Sequence, residues 1–195
     1  MNKALEVKNK VKEIAYMLRD MNIEVISKKD IGLGDLEVIE DGNTLEDNSI
    51  LKARALAEKV DYKYIVMADD SGLFVDKLNG EPGVYSSRYA GEEGNDDKNN
   101  KKLLETLKDA EERKAKFKTV IVLITENKET LVVEGECKGT IGLTVKGTNG
   151  FGYDPLFIPE GFIETFGELG EDIKNQISHR AKALEKLKNE IEKII

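Results

Sequence analysis

Two β-rich segments joined by a short polar connection place the strongest constraint on what this chain can fold into. Phe117–Thr125 and Thr130–Leu143 are both long and rich in strand-forming residues, and Glu126-Asn127-Lys128 between them reads as a hairpin. A third strand is predicted at Tyr64–Ala68, a short apolar run that ends at two aspartates, as buried strands in α/β proteins often do. Helices are equally legible. Val11, Ile14, Ala15 and Leu18 follow the i, i+3, i+4, i+7 pattern and predict a helix over about residues 8–21. A second helix should start at Thr44, where Thr44 and Asp47 form a capping box with aspartate in place of glutamate. Its apolar line runs through Ile50, Ala53, Ala57 and Val60. A third is predicted around Asp97–Lys108, and a last from Ser178 to the C-terminus. Helices and strands alternate early and strands cluster later. The pattern predicts an α/β fold on a mixed sheet, with the hairpin half forming a second lobe and a cleft between the two. At 195 residues one domain of two lobes accounts for the whole chain, 1–195.

Composition narrows the class. Hydrophobic residues at 39% and charged ones at 35% suit a globular chain rather than a disordered one. No apolar run approaches the roughly 20 residues of a membrane span, and MNKALEVKNK carries no secretory signal, so a cytoplasmic protein without membrane contact is expected. A single cysteine, Cys137, excludes a disulfide framework or a multi-cysteine zinc cage. The net charge of −8 disfavours a nucleic-acid partner but leaves small phosphorylated ligands open, since a few lysines and a metal neutralise one triphosphate.

Three segments carry candidate chemistry. In ADDSGLFVDKLNGEPGVYSSRYAG, Ala68–Gly91, a strand should deliver Asp69 and Asp70 to its C-terminal end, with Ser71 and Gly72 turning the chain. Carboxylates there suit a hard cation such as Mg²⁺, or a general base acting on water. Alone, Asp-Asp-Ser-Gly serves a turn more often than a catalytic site. In GTNGFGYDPLFIPEG, glycines frame Phe151 and Tyr153, whose rings could stack on a purine or pack into the core. In KNQISHR, the cationic donors Lys174, His179 and Arg180 lead into the final helix, with Ser178 as its cap. Such donors suit a ligand edge rich in carbonyl oxygens.

Taken together, ADDSGL, PGVYSSRYAG, GFGYDPLF and ISHR closely resemble the inosine triphosphate pyrophosphatase family, whose members are also called dITP/XTP pyrophosphatases. The resemblance extends from about Lys8 onward. It implies an elongated α/β fold with the site between two lobes, a homodimer, and Mg²⁺-dependent cleavage of non-standard purine nucleoside triphosphates to monophosphate and pyrophosphate. By position it implies that Asp70 is the catalytic carboxylate and a metal ligand, with Glu40 a second ligand. It implies substrate contacts from Ser71, from Phe151, Gly152, Tyr153 and Asp154 in the nucleotide loop, and from Lys174, His179 and Arg180 at the base. Lys52 and Lys10 should face the phosphates.

The sequence departs from the family at its start. With Lys10 aligned to the triphosphate lysine, Leu5 stands at the usual hydroxyl and Val7 at the usual asparagine. Two phosphate donors are thereby missing, each worth about 1.5–3 kcal/mol if charge-assisted. The alternative expectation is therefore a nucleotide-binding relative with impaired catalysis.

Overall fold

The computed structural model describes residues 11, 14–16, 18–21 and 23–191. Its sheet has four strands in the order β1-β2-β3-β4: Val66–Val75, Lys114–Ile124, Thr130–Ile141 and Phe157–Pro159. Every pairing among them is antiparallel, so the described sheet contains no parallel pair of the kind a mixed sheet requires. The hairpin forms as its sequence dictates. Thr125 N–H bonds Glu129 O at 3.0 Å, Lys128 takes a left-handed φ of 66°, and the pairing runs without a slip from Ile124–Thr130 to Lys114–Thr140.

Helices cover both faces of β2. Helix α1, Leu45–Lys59, opens on the capping box predicted at Thr44 and Asp47, and packs on Val120, Val122 and Ile124. Helix α4, His179–Ile191, packs on the alternate residues Ile121 and Leu123. Period-two alternation would bury only one face of an edge-type strand. Here both are covered, and Thr119–Ile124 is buried without interruption. Ile14 and Leu18, from the first predicted helix, are buried in the cluster under α4, and residues 11 and 14–16 are helical. Helix α2, Asp96–Thr106, follows an Asn95 cap, and a third apolar cluster joins its Leu103 to Phe117, Phe157 and Phe166.

Close approach of α4 to the sheet depends on one glycine. A Cβ at Gly135 of β3 would lie 2.0 Å from His179 O and 2.5 Å from Ala183 N, so no larger residue fits under the start of α4. The helix predicted from Ser178 forms as α4, and a short helix that was not predicted, α3, Glu171–Ile177, precedes it, with Ser178 extended between them. Ser178 Oγ accepts the Ala181 N–H at 3.1 Å and caps α4 as expected.

One expectation is overturned. Asp69-Asp70-Ser71-Gly72 is not a turn at a strand end but the middle of β1, which continues to Val75. Asp70 pairs with Val120 and Ser71 with Thr119, and the ladder of β2 outweighs the local turn preference of Asp-Ser-Gly.

Candidate active site

Because successive side chains of a strand point to opposite faces, placing Asp69 and Asp70 in mid-strand separates their carboxylates. Asp70 lies opposite Val120, on the α1 face. Asp69 lies opposite Ile121, on the α4 face.

On the α1 face, Asp70 Oδ1 accepts from Lys52 Nζ at 2.8 Å, and the same ammonium lies 3.0 Å from Glu40 Oε2. Asn48, one helical turn before Lys52, directs Nδ2 to Asp70 Oδ2 at 3.5 Å. Its Oδ1 accepts the Gly42 N–H at 2.9 Å, tying the Glu40 loop to α1. Arg88 Nη2 donates to Glu40 O at 3.4 Å. The Lys52 and Asp70 side chains are 22% and 15% exposed, enough to strengthen the pair while leaving a solvent path. Burial opposes the ammonium charge, but the carboxylates of Asp70 and Glu40 outweigh it and raise the Lys52 pKa above its ordinary 10.5. Two carboxylates converging on one cation form a donor set that Mg²⁺ accepts, since this ion binds one or two carboxylates and completes its shell with water and phosphate oxygens. Among the described residues no group of three His, Cys, Asp or Glu side chains converges in this way.

On the α4 face, Arg180 Nη2 donates to Asp69 Oδ2 at 3.1 Å. Ser71 Oγ donates to Thr119 Oγ1 at 2.7 Å, which in turn donates to Asp70 O at 3.0 Å. Ser71 therefore braces β1 from the face opposite the Asp70 carboxylate. Lys174 Nζ donates to Asp154 Oδ2 at 2.5 Å, and the same oxygen accepts the Phe151 N–H at 2.8 Å. Lys174 Nζ lies 4.7 Å and Arg180 Cζ 5.8 Å from the Phe151 ring centroid, so two cations gather at one aromatic ring. His179 stacks on Phe117 with centroids 4.8 Å apart. Lys174, His179 and Arg180 are only 6%, 5% and 2% exposed, a burial that lysine and arginine tolerate only when partnered.

The sequence profile of the Ham1 family matches residues 5–190. This chain belongs to the Ham1 family. Among its relatives, the dITP/XTP pyrophosphatase of Clostridium perfringens is 51% identical over 193 residues, covering 96% of this chain and 94% of that protein. The dITP/XTP pyrophosphatase of Haemophilus influenzae is 50% identical, covering 94% of each. Among solved structures, the Ham1 protein of Staphylococcus aureus superposes with a TM-score of 0.86 at 39% identity, covering 96% of this chain and 95% of that one. A HAM1 protein from Coxiella burnetii gives 0.85 at 40% identity, covering 95% and 94%.

Within this Ham1 chain, the structure brings Glu40, Lys52 and Asp70 into one cluster, and Phe151, Asp154, Lys174 and Arg180 into another. Asp69 links them across a single peptide of β1. Tyr153 takes the second course open to the loop aromatics. It is buried in the core with its hydroxyl donating to Ser86 O at 2.9 Å, and burial raises its pKa, so its ring is not offered for stacking. Gly152, in the left-handed region at φ 61°, is gripped by Asp96 and Asn100. Lys10, Leu5 and Val7 lie outside the described residues. Sequence reasoning missed Asn48, Asp96 and Asn100 as members of these clusters, and it named Asp69 beside Asp70 without its Arg180 partner. For Asn48 a signal existed: it stands four residues before Lys52 and shares its helix face.

Proposed function

We propose that this chain hydrolyses the non-standard purine nucleoside triphosphates dITP, XTP and ITP to the monophosphate and pyrophosphate. The observation that carries the reading is the Asp70 carboxylate. Each of its oxygens faces a donor, Lys52 on one side and Asn48 on the other, while the adjoining Asp69 holds Arg180. The names of the relatives point to the same activity.

In this reading Asp70 orients a water for in-line attack on the α-phosphorus and accepts its proton, a role typically worth 10²–10⁴ in rate. Lys52 is released from its carboxylate partners towards the phosphates and neutralises charge as it moves to the leaving pyrophosphate. Glu40 and Asp70 would hold Mg²⁺, which when bound supplies Lewis-acid charge neutralisation at the phosphates. Phe151 supports the purine plane, while Lys174, His179 and Arg180 donate towards its carbonyl edge. A 6-amino purine presents a donor to these donors and leaves buried groups unpaired, which is how such a site rejects it. Lys10 completes the phosphate contacts, Ser71 braces the strand, and Gly152, Tyr153 and Asp154 shape the nucleotide loop. The reading includes a cytoplasmic homodimer.

A panel of ITP, dITP, XTP, GTP and ATP with Mg²⁺ tests it. Preferential release of pyrophosphate from the first three supports the assignment. Equal turnover of ATP, or orthophosphate as the primary product, would overturn it.

A further inference from the structure

Helix α2 lies outside every segment to which a catalytic or binding role was assigned, yet it holds the nucleotide loop from both ends of one residue. Asp96 and Asn100 stand four apart and share a helix face. Asp96 Oδ2 accepts the Gly152 N–H at 2.7 Å, and Asn100 Nδ2 donates to Gly152 O at 2.8 Å. Both the donor and the acceptor of a single glycine are thus taken by side chains more than fifty positions earlier in the chain.

Gly152 is the residue whose backbone most needs fixing. Its φ of 61° is readily reached by glycine, but so are many others, and a glycine left unheld samples them. On one side Phe151 carries the ring at which Lys174 and Arg180 gather. Two residues on, Asp154 binds both Lys174 and the Phe151 N–H. A rotation at Gly152 would therefore move the ring and the lysine together. Asn100 is 6% exposed, and its Oδ1 has no hydrogen-bond partner among the described residues.

We propose that Asp96 and Asn100 are positioning residues that pre-set the Phe151–Asp154 loop for the purine base, and so govern base affinity rather than the chemical step. The inference rests on the functional reading above. Asp96 supplies a charge-assisted acceptor, the stronger of the two contacts, and is the better position to alter.

The test compares Asp96→Ala, Asp96→Asn and Asn100→Ala with the unaltered chain. It uses steady-state kinetics on dITP, dITP binding in an Asp70→Asn background, and thermal melting. Asp96→Ala and Asn100→Ala should raise KM and the dissociation constant roughly tenfold, with kcat within about twofold. Asp96→Asn keeps an acceptor for the Gly152 N–H and should recover most of the loss. A role confined to folding would lower the melting temperature and the active fraction while leaving KM unchanged, and that result overturns the inference. If Asp96→Ala fails to fold, Asn100→Ala reads the other end of the same residue. Should the unaltered chain release no pyrophosphate from dITP, the functional reading and this inference fall together. If it does release pyrophosphate and both alanine variants keep its KM, the inference alone fails.

Discussion

Asp69 and Asp70, neighbours in the chain, hold different cations on opposite faces of the sheet: Arg180 Nη2 stands 3.1 Å from Asp69 Oδ2, and Lys52 Nζ 2.8 Å from Asp70 Oδ1. One peptide unit of β1 therefore joins the cluster assigned to the phosphates to the cluster assigned to the base. The pairing of this stretch with Thr119, Val120 and Ile121 in the doubly covered part of β2 keeps that junction stiff.

Replacing Asp70 with asparagine removes the carboxylate proposed as proton acceptor while preserving shape. Turnover of dITP should fall by roughly 10²–10⁴, with nucleotide binding retained. Steady-state kinetics beside equilibrium titration would check this, and near-native turnover would refute the role of Asp70.

Lys52→Met deletes the ammonium and leaves the Glu40 and Asp70 carboxylates facing each other. Stability should drop by about 1–3 kcal/mol, less than for a fully buried pair. Because the folded-state pKa of Lys52 is raised, its contribution is fully present below the ordinary value of 10.5 and is lost only as pH climbs through the higher folded value. The difference between native and variant should therefore stay constant from about pH 7 to about pH 10 and shrink above that. Mg²⁺ should stabilise the variant more than the native chain, since the ion then meets two uncompensated carboxylates. Melting curves across pH, with and without Mg²⁺, measure both effects.

Gly135→Ala drives a methyl group into the start of α4, where a Cβ would lie 2.0 Å from His179 O. Overpacking of this kind costs about 1–3 kcal/mol. The shift carries His179 and Arg180 with it, so KM for dITP should rise along with the loss in melting temperature. Unchanged kinetics would show that α4 can adjust without disturbing the site.

Cys137 sits 3% exposed in β3, where burial pushes its thiol up to about 11. At pH 8 only about one molecule in a thousand would carry the thiolate that alkylating reagents need. Labelling of the native chain should be slow and should become rapid in denaturant. Fast stoichiometric labelling of the folded protein would contradict this burial.

Much of the fold was legible because local chemistry and tertiary structure agree. The Thr44–Asp47 box starts α1, Glu126-Asn127-Lys128 turns the hairpin, and Ser178 caps α4, each where the residues alone placed it. The α/β class also holds, with close superposition on Ham1 structures. Sequence reasoning failed where long-range pairing overrides local preference. Asp-Ser-Gly favours a turn, yet ten residues of β1 run through it against β2. That error concealed the opposite facing of Asp69 and Asp70, and with it the partnership of Asp69 with Arg180, 111 positions away. Asp96 and Asn100 were hidden for the same reason, since nothing near them in the chain announces Gly152.

Hydrolysis of dITP in ¹⁸O-labelled water tests the central claim most directly, because the label marks the phosphorus that water attacks. An Asp70-directed attack at the α-phosphorus places ¹⁸O in the monophosphate and leaves the pyrophosphate unlabelled. Label in the pyrophosphate, or in released orthophosphate, would contradict the account.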